Sequence, residues 1–151
     1  MSTFDIAMKQ AYLVQLEEEI YLLGTPSTLK CSLMAGLQWW LLEGNSGTCP
    51  KAPGFGSVYG SKVWATAAYV DQTTLGWGQM LRGRLSKLWG DAYVKNNEGG
   101  SPKESHLKWT KGCIKILWKF AFAIWDHRNL ALHGRTQEEQ AQIQSSTLHA
   151  N

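Results

Sequence analysis

Between Lys103 and His133 the sequence keeps one helical periodicity without a break, the longest regular stretch in the chain. On an ideal wheel at about 100° per residue, Lys108, Lys111, Lys115 and Lys119 fall within an arc of about 80°. Opposite them run Trp109, Cys113, Ile114, Leu117, Ala121, Ile124 and Leu132. A helix that is wet on one side and broadly apolar on the other must bury the apolar side against further helices or a sheet. Gly134 reads as the end of this helix. Thr136-Gln137-Glu138-Glu139 then reads as a capping box that opens a short C-terminal helix and tail over 136–151.

The remaining segments supply helices for it to pack on. Leu13, Leu16, Ile20 and Leu23 are spaced for one face of a helix over 5–23, and Gly24 is placed as the residue beyond its end. Thr25-Pro26 reads as a cap followed by the first position of a second helix reaching about residue 43. Leu29, Leu33, Leu37, Trp40 and Leu41 lie on one side of it. Residues 44–60 hold five Gly and two Pro, a composition for a surface loop. Helix resumes over 61–69. A further helix follows from about residue 74, with Trp77, Leu81, Leu85, Leu88 and Ala92 on one face. Gly76, Gly78 and Gly83 each weaken that helix by about 1 kcal/mol relative to Ala, or else admit a close neighbour. Residues 96–102 (NNEGGSP) break the chain before the long helix. No alternating strand pattern and no internal repeat is present. The expectation is an all-α fold, a single domain over 1–151, as a bundle of five or six helices with one long Gly/Pro-rich loop.

Composition narrows the function classes. With 44% hydrophobic residues and eight Trp, the 151-residue chain can build a core and is not a disordered tail. Three Cys (Cys31, Cys49, Cys113) without a CxxC pair argue against a disulfide framework or zinc ribbon and for a reducing, intracellular setting in cytoplasm or nucleus. No apolar run is long enough for a membrane span, and the first residues lack the layout of a secretory signal. Neither HExxH nor clustered carboxylates occur, so no metal and no cofactor is expected. Charge is uneven: residues 1–60 balance to −2, residues 61–135 to +7 and residues 136–151 to −2. A basic middle suits a polyanion such as nucleic acid, and it equally suits the solvated face of an aromatic-rich protein.

The end of the long helix carries the sharpest chemical hint. In Trp125-Asp126-His127-Arg128-Asn129-Leu130-Ala131-Leu132-His133 polar groups interrupt the apolar band. Arg128 falls on the buried side of the wheel, where its guanidinium needs a partner or must reach water along its stem. Asn129 and His133 look the same way, one turn apart, on the lysine side. A titratable imidazole can exchange protons with a ribose 2′-hydroxyl or a leaving oxygen while Arg stabilises charge on the phosphate. The same residues also serve a plain structural end, with cations near the last carbonyls of a helix and Arg128 bridging to Asp126. Trp118 and Trp125, at the border of the two faces, either stack on bases or cover the edge of the core.

Arg128-Asn129-Leu130-Ala131-Leu132-His133 resembles the R-N-x-x-x-H motif of HEPN-domain ribonucleases, small all-helical domains that commonly dimerise around a composite, metal-independent site. The resemblance implies Arg128 and His133 as catalytic, Asn129 as their supporting polar residue, RNA as substrate and a homodimer. A longer likeness covers most of the chain. Residues 117–134, with Trp125, Arg128, Asn129, His133 and Gly134 in a W-x-x-R-N-x-x-x-H-G pattern, look like the helical region downstream of reverse transcriptases in eukaryotic retroelement polyproteins. So do Leu75-Gly76-Trp77…Trp89 and Gly24-Thr25-Pro26. That likeness implies a nucleic-acid-associated context without a defined reaction. Residues 54–60 (GFGSVYG) look like part of a kinase glycine-rich loop, but none of the motifs that accompany one follows.

The functional expectation is a small helical protein associated with RNA or other nucleic acid, which Lys108, Lys111, Lys115, Lys119, Arg82 and Arg84 would bind. Metal-independent endoribonuclease action at Arg128, Asn129 and His133 is its enzymatic form. The alternatives are a non-catalytic retroelement-derived binding or scaffold domain and a protein–protein module anchored by exposed tryptophans.

Overall fold

The computed structural model describes the backbone of residues 3–43, 49–52, 61–96 and 102–150, with side chains over 5–43, 49–52, 63–95 and 103–130. Among these residues the chain is all-α, with six helices and no strand: α1 (Thr3–Leu22), α2 (Ser27–Glu43), α3 (Ser61–Leu75), α4 (Trp77–Met80), α5 (Lys87–Asn96) and α6 (Pro102–Ala150). Most of the predicted 44–60 loop lies outside the described residues, and 49–52 is non-helical.

The first two helices form where apolar residues recur at three and four. On α1, Leu13, Leu16 and Ile20 are buried, and Gly24 closes the helix with φ +93°, a conformation that favours glycine. On α2, Leu29, Leu33, Leu37 and Leu41 form one buried row, each contributing about 1.5–3 kcal/mol of transfer free energy. The corner between them is pinned from α6, where the Trp109 indole N–H donates to the buried Thr25 hydroxyl at 2.9 Å. Helix α6 packs on α1 and α5, α2 packs on α1 and α3, and α3 packs on α5, so the core lies between α6 and the α2–α3 pair.

Three expected boundaries are corrected. Helix α3 continues past residue 69 to Leu75 because nothing stops it before Gly76, and the Thr73 hydroxyl donates back to the Tyr69 carbonyl at 2.9 Å. The single helix expected from about residue 74 is two, α4 and α5, separated by a turn. Gly76 (φ +108°) and Gly83 (φ +85°) adopt angles that a helix cannot contain. The short C-terminal helix expected over 136–151 is no separate element, since α6 runs through Gly134 and Thr136 to Ala150. A glycine interior to a helix costs only about 1 kcal/mol, and no proline follows to force an end.

One buried side chain organises the turn between α4 and α5. Gln72, wholly buried on α3, donates from Nε2 to the carbonyls of Gly76 (3.1 Å) and Arg84 (3.3 Å). Its Oε1 accepts from the backbone N–H of Ser86 (2.8 Å) and the indole N–H of Trp89 (3.1 Å). Ser86 in turn caps α5, accepting from the Leu88 N–H at 3.1 Å while its hydroxyl donates to Asp71. Close packing completes the arrangement. A Cβ on Gly36 would stand 2.1 Å from the Trp77 ring, and one on Gly78 would stand 2.8 Å from that of Trp40. The glycines of this region admit indole rings.

Candidate nucleic-acid interface

The buried side of α6 is Trp109, Cys113, Leu117 and Phe120, with Ile116 and Ile124 partly buried against it. It is turned from the band read in the sequence toward Phe120 and away from Ile114 and Ala121, both only half-buried. The expectation that Arg128 falls on the buried side is therefore corrected: Arg128 is exposed. It lies one turn beyond Ile124, the last described residue of α6 packed on the core, and lines an open cleft shared with Asp5, Met8 and Lys9 of α1.

The opposite side is where apolar surface stays in water. Trp118 is 48% exposed, Trp125 59% and Phe122 67%. These three positions lie within about 60° of one another on the helix wheel. Beside them, between α6 and the residues following Gly76, runs a groove of about 570 Å³ lined by Trp40, Gly78, Leu81, Arg82, Trp118, Ala121, Phe122 and Trp125. Its shape depends on another absent Cβ, for one on Gly83 would lie 2.8 Å from the Trp118 indole nitrogen. An adjoining cleft of about 700 Å³ shares Trp40, Leu81, Ala121 and Trp125 with it. That cleft also reaches Asp5, Lys9, His127 and Arg128. Lys9 donates to the Leu41 carbonyl at 3.2 Å, and Tyr12 holds α1 to this part of α6 by donating to the Ala123 carbonyl at 3.4 Å.

The predicted cations lie on the surface. Lys108, Lys111, Lys115 and Lys119 are all exposed. Only Lys119 among them has an ion-pair partner among the described residues, with its Nζ 2.6 Å from Glu19 on α1. Arg82 and Arg84 are exposed on the turn after α4, and Arg82 borders the groove. Asn129 is half-buried. The His133 side chain lies outside the described residues; its backbone belongs to α6, which is uninterrupted from Arg128 onward. Five helical steps separate the two positions by about 140°, and no distortion of a last turn brings them together.

Two clusters elsewhere are structural. His106 is tied to Asp91 on α5 (3.3 Å) and packs on Gly90, clasping α5 to α6. The Tyr69 hydroxyl donates to the Pro50 carbonyl at 2.7 Å and lies 3.3 Å from Cys49 Sγ; burial and that thiol push its pKa up. Cys113 is buried in the core, and burial raises its thiol pKa to about 12. Among the described residues no three of His, Cys, Asp and Glu gather in a metal-binding group, and no helix is long and apolar enough to cross a membrane.

The sequence singles out Trp118 and Trp125, but it assigns Trp40 and Leu81 to core-facing rows and passes over Phe122. A signal existed for Phe122, because an aromatic one turn from both Trp118 and Trp125 makes a second apolar stripe on the side that carries the lysines. Comparison with known proteins gives no match: no family model, no curated protein and no solved structure aligns with the chain.

Proposed function

We propose that this chain is a nucleic-acid-associated helical protein that binds RNA along the outward face of α6. The reading rests on one observation: the exposed aromatic residues Trp118, Phe122 and Trp125 lie in register with exposed Lys111 and Lys115 on the side of α6 away from the core. On the ideal wheel these five positions, with Asn129 and His133 beyond them, share an arc of about 80°. Lysines neutralise phosphates and release counterions, and aromatic faces accept bases of any sequence.

Salt dependence tests the reading. Binding of labelled RNA should weaken steeply as salt rises. Replacing Lys111 and Lys115 with Ala should lower the slope of log affinity on log salt by about 1.4 for a single strand. Lys119→Ala should change it less, because Glu19 already holds that charge. Absence of RNA affinity at low salt would refute the reading and favour a protein partner for the apolar groove.

The enzymatic form of the proposal assigns proton transfer at the ribose 2′-hydroxyl to His133, charge stabilisation at the phosphate to Arg128 and support to Asn129. The exposure of Arg128 at the rim of the adjoining cleft supports access to a phosphate. The wide angle between positions 128 and 133 on one helix favours a site completed by a second copy. Cleavage of single-stranded RNA in the presence of chelator should vanish in His133→Ala. Unchanged cleavage would remove His133 from the reaction, and no cleavage by the wild-type chain would leave a binding protein.

A further inference from the structure

We infer that the groove between α6 and α4 with its following turn receives unstacked bases, so that the protein prefers a single strand to a duplex. This rests on the nucleic-acid reading and adds to it the form of the ligand. The groove volume of about 570 Å³ falls within the ~300–1,000 Å³ typical of sites for small organic groups. It therefore has room for planar bases but none for an intact double helix. Trp118 and Trp125 stand seven residues apart, about 10.5 Å along the helix axis. Phe122 lies between them, so the row offers separate aromatic faces on which unstacked bases can lie.

The charges select the occupant. Residues 103–130 of α6 carry five Lys and one Arg against only Glu104 and Asp126, and Arg82 stands at the groove edge. A second copy docked through this same face of α6 would bring like charges together over the groove. A polyanion with planar apolar groups satisfies both the rim and the lining, with phosphates toward Arg82 and Lys115 and bases against Trp118, Phe122 and Trp125. In duplex nucleic acid those bases are paired and stacked, and their faces are not on offer.

The test compares a short labelled oligouridine with an RNA duplex of equal length, both by fluorescence anisotropy. It uses the wild-type chain, a Phe122→Ala/Trp125→Ala variant and a Lys111→Ala/Lys115→Ala variant. Both pairs are exposed, and circular dichroism verifies that each variant folds. The expected result is tighter binding of the single strand, accompanied by quenching of tryptophan fluorescence. The aromatic double variant should lose single-strand affinity about tenfold or more while its duplex affinity stays unchanged. If the aromatic variant binds the single strand as well as wild type while the lysine variant does not, the base-binding groove is overturned and the electrostatic reading survives. Absence of binding by any chain at low salt overturns both. A dimer that becomes monomeric in the aromatic variant, with RNA affinity unchanged, gives the groove to a second copy and overturns the inference.

Discussion

Gln72→Leu is the most demanding test of how the groove is built, since it keeps the side chain's size and removes its hydrogen bonds. Four bonds are lost. The Gly76 carbonyl keeps a second partner, the Gln79 N–H at 3.1 Å. The N–H groups of Ser86 and Trp89 lose the acceptor they share and lie at positions only 3% and 0% exposed. Two orphaned buried donors at about 1–3 kcal/mol each, with smaller losses at the two carbonyls, give about 4 kcal/mol. That is a large part of the roughly 5–15 kcal/mol available to a domain. For a chain of this size it corresponds to a fall in Tm of roughly 8–16 °C. Thermal unfolding followed by far-ultraviolet circular dichroism, with urea unfolding as a second readout, measures it. Because the same bonds set α4 and its following turn, which carry Gly78, Leu81 and Arg82, RNA affinity should fall in the surviving folded fraction as well. A loss below about 1 kcal/mol would refute the reasoning, for Ser86 and Trp89 would then have found other acceptors.

Two further outcomes follow from the core. Gly36→Ala places a Cβ 2.1 Å from the Trp77 ring, which is itself buried, so urea unfolding should show a loss of about 1–3 kcal/mol; an unchanged midpoint would mean that Trp77 can move. The Cys113 thiol titrates near its ordinary value of 9.0 in the unfolded chain and at about 12 in the fold. Above pH 9 the unfolded state therefore binds fewer protons, and stability should decline between about pH 9 and pH 12. Urea midpoints measured across that range should decline less in Cys113→Ala, and parallel declines would contradict the burial argument.

The helical pattern was legible wherever a single buried row decides it. Leu13, Leu16 and Ile20, and then Leu29, Leu33, Leu37 and Leu41, announce α1 and α2, and Gly24 marks the corner between them. Failures came where two physical effects compete. Gly134 looks like a terminator, yet glycine only weakens a helix, and nothing after it opposes continuation. Residues 74–92 show one apolar face, but that periodicity is local and does not register that Gln72 holds Gly76 and Arg84 from another helix. Extending the core band past Ile124 puts Arg128 on the buried side, but there α6 borders an open cleft beside the first turns of α1 rather than the core. For the candidate interface, the lysines and two tryptophans were readable as residue types. Their meeting with Trp40 and Leu81 was not, because it depends on glycines at 78 and 83 admitting indole rings across elements far apart in sequence.

The claim that RNA lies on the outward face of α6 is tested most directly by photocrosslinking an iodouridine-substituted single strand to the intact chain and mapping the adducts by mass spectrometry. Adducts are predicted at Trp118, Phe122 and Trp125, and they should disappear at high salt. Crosslinks confined to residues off that face, at exposed Tyr21 beside Lys30 of α2 for example, or adducts that persist at high salt, would contradict it.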